Sequence, residues 1–440
     1  MSDMNANRAF VRSDMLPEQA PPALETGVVK WLRENLFSSW INTILTLVSF
    51  ALIYWVAQII VPWAVFGIWD AGSLTECRAI RDELYGVSDG HGGGVACWAV
   101  IAERWPQIIF GFYPSDLYWR PILAFALFWV AITPVLFEGA PRQLLVVTVA
   151  FPFVAVALLW GNVGGPIAVA LGFALGWAIY KFATPAIGQL AGTIATIVVP
   201  ILYWILLSGY IGDGLSAILP GLEPVGSSRF GGFLLALVIG ISCIVLSLPI
   251  GIMLALARQS DLFIINKSAV VFIEVFRGVP MIVWLFSASL LLGYFLPEGM
   301  DPDDLVRVII LITLFSAAYI AEVIRGGLAA LPRGQYEGAD SLGLDYWQSM
   351  RLIILPQALK ISIPGIVSTF IGLFKDTTLV VFIGLLDPLK GLSDAIRATT
   401  EWNGIYWELF IFSGAIFFIF CFGMSQYSQY LERKLATDRR

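Results

Sequence analysis

Ten stretches of about 20 mainly apolar residues recur along this 440-residue chain, and about 20 such residues are what an α-helix needs to cross a bilayer. Lipid offers the backbone no water, so only helices and closed barrels can satisfy its N–H and C=O groups there. Runs of this length select the helix. They lie near 41–68, 119–138, 143–160, 165–182 and 187–211, then near 230–257, 268–296, 304–324, 361–386 and 407–428. The runs 143–160 and 165–182 are short and joined by Gly161-Asn162-Val163-Gly164-Gly165-Pro166, so they also fit one tight hairpin. The expected fold class is therefore an all-α integral membrane protein of about ten (8–10) transmembrane helices. Charged residues make up 13 % of the chain, against roughly 25 % in soluble domains.

Several function classes fall away. The net charge of −6 comes with no basic stripe interleaved with aromatics, so no nucleic acid is expected as a partner. The single histidine, His91, sits in a Gly-rich loop, which leaves no His-based metal site or catalytic constellation. No cofactor is expected. Cys243 and Cys421 lie inside apolar runs and read as small hydrophobes. The first forty residues are polar and run straight into an apolar stretch, so the first span is expected to stay with the protein rather than be cleaved. Within them Val28, Leu32 and Leu36 repeat at helical spacing opposite Lys30, Arg33 and Glu34. This suits either an interfacial helix or an extension of the first span.

With ten spans and an inside N-terminus, about two thirds of the 26 Lys and Arg fall on the cytoplasmic side. The division of the chain is then 1–40 cytoplasmic with the amphipathic segment, 41–229 an N-terminal transmembrane extension with an outside loop at 70–118, 230–432 a second half, and 433–440 a cytoplasmic tail. The Gly/Pro/Ser-rich segment 212–228 marks the junction. Cys77 and Cys97 share the outside loop, where an oxidising compartment favours a disulfide; two free thiols are the alternative.

One polar loop interrupts the second half. Glu337 to Pro356 reads EGADSLGLDYWQSMRLIILP. In physical terms this is a helix start at Glu337-Gly338-Ala339, a turn at Gly343 where φ > 0 costs nothing, and a second helix. Pro356, after Leu355, is expected to end that second helix. Tyr346 and Trp347 are suited to anchor the loop in a groove on a partner.

This loop resembles the EAA motif of binding-protein-dependent ABC-importer permeases, with Gly338 where that family usually has Ala. Around it, Phe276-Arg277-Gly278-Val279-Pro280, Glu322-Val323-Ile324-Arg325-Gly326-Gly327, Gly334-Gln335-Tyr336-Glu337, Leu355-Pro356-Gln357-Ala358 and Phe374-Lys375-Asp376-Thr377-Thr378 resemble the polar amino-acid branch. The likeness covers about 230–432. The long first half is similar to the M-type permease subunit of general L-amino-acid ABC transporters. The resemblance implies a C-terminal five-helix type I permease core with its coupling loop at 327–360. It also implies L-amino acids as cargo, and as partners an ATP-binding homodimer, a second permease subunit and a periplasmic amino-acid-binding protein. It places the chain in a bacterial inner membrane with both termini cytoplasmic. The chain carries no G-x-x-x-x-G-K-[ST], which agrees with ATP hydrolysis on a separate chain and with a transporter subunit rather than an enzyme.

Charges inside spans are costly and usually face a cavity or a partner. Gly365, Thr369, Gly372 and Asp376 share one helix face, with Ser368 and Lys375 on its shoulder. Thr369, Gly372, Lys375, Asp376 and Thr377 are the expected lining of the translocation path, ending in a Lys375–Asp376 ionic pair. The alternative is that these charges neutralise neighbouring helices while the glycines allow close packing. Glu274, Arg277, Glu322 and Arg325 are expected to form an ion network near the cytoplasmic gate. Two other functions stay open: an ion-coupled secondary transporter using Lys375 and Asp376, and a scaffold permease that binds no substrate. The halves show no clear internal repeat of the kind secondary transporters carry.

Overall fold

The structure is a computed structural model, and it describes residues 27–85, 94–219, 221–291, 294 and 303–436. The expectations for His91, for the first 26 residues and for the end of the tail lie outside these residues. Among the described residues every regular element is a helix or a helical turn. Eight helical stretches are long and apolar enough to cross a membrane, and ten spans result if each of two bent pairs counts as one. The expected runs 143–160 and 165–182 each have a stretch of their own, and the bends fall elsewhere.

The chain forms two compact units, one of residues up to Ile68 with Ala79–Ala96, the other of Trp69–Arg78 with Cys97–Arg440. In the first unit, α1 (Gly27–Asn35) precedes α2 (Trp40–Val65). Lys30 and Glu34 pair at 3.7 Å on α1. Ser39 caps α2 by accepting the N–H of Asn42. No residue of α2 is buried, as befits a helix apolar on all sides.

In the second unit α3 (Ala99–Phe110) lies before the spans α4 (Trp119–Leu136), α5 (Leu145–Trp160) and α6 (Gly164–Ala178). A bent pair follows, α7 (Gln189–Leu206) and α8 (Ser208–Ile218), turned by 60°. Next come α9 (Gly232–Arg258), α10 (Phe263–Gly278) and α11 (Met281–Phe286). The last two are bent by 101° at Pro280, which caps α11. Then follow α12 (Asp304–Ala329), α13 (Arg333–Ser341), α14 (Tyr346–Ser349), α15 (Leu355–Asp376), α16 (Gly391–Arg397) and α17 (Trp407–Ala436).

Two apolar clusters hold this unit together. One joins Phe110, Tyr113, Leu117 and Leu159 to Phe230, Leu235, Ile239 and Ile312. The other joins Ile273, Ile320 and Ile324 to Met350, Ile354, Ala358 and Ile366. Lipid is as apolar as these side chains, so close approach rather than transfer from water binds such helices. At Gly365 of α15 an added Cβ would stand 2.6 Å from Val323 Cγ1 of α12, and at Gly327 it would stand 2.6 Å from the Ala358 carbonyl.

The junction at 212–228 does not divide the packing. Gly111 (φ 68°) ends α3 against the backbone of Gly231, and a side chain at Gly232 (φ 59°) would overlap the Ile108 carbonyl. Buried Arg120 donates to the Glu223 carbonyl at 2.6 Å. Polar turn composition marks a surface connection; it does not reveal that both flanking elements share one core.

Candidate functional site

The polar loop is a rigid, doubly capped turn. Helix α13 ends at Gly343 (φ 69°). The Gly343 N–H donates to the Asp340 carbonyl at 2.9 Å and the Leu344 N–H to the Ala339 carbonyl at 3.3 Å, a Schellman ending. Two residues later Asp345 opens α14 with a capping box. Its carboxylate accepts the Gln348 N–H at 2.8 Å, while Gln348 Oε1 accepts the Asp345 N–H at 3.1 Å. Gln357 Nε2 donates to Gln335 Oε1 at 2.9 Å, tying α15 back to α13.

One face of the loop is fixed to the bundle. Ala339, Ser349, Met350 and Ile354 are buried, and burial pushes the Tyr336 hydroxyl above its usual range. The other face projects Leu342 (74 % exposed), Tyr346, Trp347 (71 %) and Leu352. Tyr346 and Trp347 meet edge to face at 5.3 Å. Glu337 is exposed and its carbonyl accepts the Ser341 hydroxyl at 2.8 Å. Gly338 faces open space. The expectation that Pro356 ends the second helix is wrong. Leu355 and Pro356 begin α15, which runs on to Asp376. A π-turn at Met350–Ile354 precedes Pro356. Its wider backbone accommodates a residue that lacks an N–H and crowds the preceding turn. Loop and span are thus one continuous helical arm.

On α15 the expected polar stripe separates into two parts. Gly365 is a packing contact with Val323, whereas nothing lies within 4 Å of a Cβ at Gly372. The Thr369 hydroxyl bonds the Gly365 carbonyl at 2.9 Å. Lys375 is exposed and Asp376 half-buried. No ion pair within 4 Å joins them among the described residues, contrary to the expected pair. The Asp376 carboxylate has no hydrogen-bond partner among those residues. Thr377 is buried and its hydroxyl bonds its own turn at the Phe374 carbonyl, 2.7 Å away.

Glu274, Arg277, Glu322 and Arg325 do come together. Glu322 on α12 lies 3.6 Å from Arg277 Nη1 of α10 and 3.1 Å from Arg325 of its own helix. Sequence reasoning left Arg258 out of this group. It ends α9 and contacts Glu322 at 2.5 Å and Glu274 at 3.2 Å. A basic residue closing a span was the available signal.

On the opposite side of the second unit, the Cys77 and Cys97 sulfurs are 2.10 Å apart and both residues are buried. The Cys97 N–H donates to buried Glu408 at 2.9 Å, and the Leu74 N–H to the Glu401 carbonyl at 2.8 Å. Burial pushes the Asp387 carboxyl up, against the N–H groups of Leu389, Lys390 and Gly391 that point at it.

Residues 247–437 match the family described as binding-protein-dependent transport system inner membrane component. The glutamate/glutamine/aspartate/asparagine transport system permease protein BztC of Rhodobacter capsulatus is 54 % identical over 437 residues, 99 % of this chain and 100 % of that one. The inner membrane amino-acid ABC transporter permease protein YhdY of Escherichia coli K12 is 36 % identical over 93 % of each chain. The glutamate/aspartate import permease protein GltK of Escherichia coli O157:H7 is 33 % identical over 226 residues, 50 % of this chain and 97 % of that one. The ATPase of such a system is a separate partner, and the chain is a transporter subunit rather than an enzyme. With relatives of this identity matched along their whole length, the chain belongs to the amino-acid ABC transporter permeases and is a multi-span membrane subunit of an ABC importer.

Proposed function

We propose that this permease carries acidic L-amino acids and their amides, the substrates in the name of BztC, and is driven through the loop between α12 and α15. The observation that carries the reading is the loop itself. A turn locked by a Schellman ending and a capping box presents Leu342, Tyr346, Trp347 and Leu352 to solvent, and exposed apolar clusters on rigid supports mark protein contacts. An ATP-binding homodimer receives it in the cytoplasm. A second permease subunit completes the channel, and a periplasmic binding protein delivers substrate from the other side. Both termini are cytoplasmic in a bacterial inner membrane, as the Lys and Arg distribution favours. The open outer part of the α15 stripe, with Thr369, Gly372, Lys375 and Asp376, lines the path, and Thr377 backs it from within. What supports this lining is the space beside Gly372 together with a half-buried carboxylate, that of Asp376, in a span.

The test is reconstitution of the purified complex with its binding protein in vesicles. The expected result is an ATPase subunit that co-purifies and whose activity rises with glutamate, aspartate, glutamine or asparagine. Uptake by this chain alone, driven by an ion gradient without ATP, would overturn the reading.

A further inference from the structure

Helix α12 leads through Pro332 directly into α13 of the loop. About two turns before α12 ends, Glu322 projects a side chain only 16 % exposed. Its carboxylate gathers guanidinium groups from three helices: Arg258 at the end of α9, Arg277 in the last turn of α10, and Arg325 of α12. Arg277 lies over the Tyr319 ring at 5.5 Å, and its Nε is buried without a hydrogen-bond partner. One residue beyond Arg277, α10 stops at Gly278 and the chain bends 101° into α11. Helix α11 packs on the segment Thr377–Ile383 that directly follows Asp376.

We infer that Glu322 is a positioning residue for transport: it clasps α9 and the α10–α11 elbow to the helix that carries the loop, and so relays loop movement to the segment beyond Asp376. The inference rests on the loop being the docking element. Ion pairs among partly buried groups are made or broken, not stretched, because an unpaired charge there is costly. A clasp of this kind therefore has two discrete arrangements, as a relay between distant sites needs. The charge count makes Glu322 its centre. Three arginines face two carboxylates, and the other, Glu274, is 56 % exposed and pairs with Arg258 alone among the described residues.

The experiment uses the complete reconstituted complex and measures ATP hydrolysis and uptake side by side. In Glu322→Gln the ATPase subunit still co-purifies and hydrolysis continues, while uptake per ATP falls about tenfold, a usual size for coupling between sites. Glu322→Asp recovers part of the loss. Because Gln leaves three arginines facing one another, Arg277→Gln is the second variant. It frees the elbow alone, keeps Arg258 and Arg325 on Glu322, and lowers uptake per ATP in the same direction. Unchanged uptake per ATP in both variants overturns the assignment, as does loss of the ATPase subunit from both complexes. Failure of the loop reading shows elsewhere, as normal ATPase co-purification when Trp347 is replaced by Ala.

Discussion

Gly343 and Gly338 lie within five residues of each other and carry opposite predictions. Gly343 holds φ at 69°, where an L-residue costs about 1–2 kcal/mol, so Gly343→Ala should loosen the Schellman ending and lower ATPase stimulation by substrate. Gly338 lies inside α13 with nothing within 4 Å of a Cβ. Gly338→Ala should stiffen that helix by up to about 1 kcal/mol, read as an unchanged or higher melting temperature of the purified complex with transport retained. Asp376 poses a different question. Its carboxylate is half-buried in a span and has no hydrogen-bond partner among the described residues, and the proposed path would bring a ligand's ammonium group to it. Hydrogen bonds to charged groups are worth about 1.5–3 kcal/mol. Asp376→Asn should therefore weaken uptake by at least about tenfold or change which amino acids stimulate the ATPase. Intact uptake and an unchanged substrate range would remove Asp376 from the path.

At the scale of elements, the proposed coupling to the ATPase subunit rests on the exposed side chains of the loop. Hot-spot aromatics lose at least about 2 kcal/mol on truncation, so Trp347→Ala should weaken association with the ATPase subunit about 30-fold, measured by titration in detergent. The Trp347 side chain makes no hydrogen bond among the described residues and packs on the neighbouring Tyr346 ring, and the backbone bond of its carbonyl survives truncation, so the permease itself should melt unchanged. The exposure of Tyr346 and Trp347 was legible because they stand in a polar segment between apolar runs. That of Leu342 and Leu352 was not, since a leucine's direction depends on where the turn sets each helix. The turn at Gly343 was legible from its residue type, and Asp345-x-x-Gln348 carried a readable capping box. Pro356 misled, because proline stops helices in general and a π-turn upstream is a local backbone solution that no pattern announces. The eight to ten candidate spans followed from apolar length alone, while the 101° elbow needed Pro280 to be placed between two packed helices. Arg258 escaped because its partners lie on helices distant in sequence.

For the whole molecule, residues 97–229, outside the family match, are structural rather than appended. Residues 97–229 supply Phe110, Tyr113, Leu117 and Leu159 to the same cluster as Phe230, Leu235 and Ile239 of α9. They also supply the backbone on which Gly232 closes and the N–H that satisfies buried Glu408. Cutting the chain at 229/230 would leave that carboxylate without its donor, which costs about 1–3 kcal/mol or more for a charged group. It would also bare the start of α9 and unmake the contacts of Gly111 and Gly231. GltK aligns over 97 % of its length with half of this chain, so a permease of that size exists. The fragment 230–440 expressed alone should accumulate several-fold less than the full chain, since losses of 1–2 kcal/mol already change abundance to that extent. Co-expression of 1–229 as a separate chain should restore both its level and its co-purification with the ATPase subunit, because the lost contacts are non-covalent apart from the chain connection itself. If the fragment alone accumulates and assembles as well as the full chain, the first half is not part of the transporting core, and its contribution must lie in some other contact.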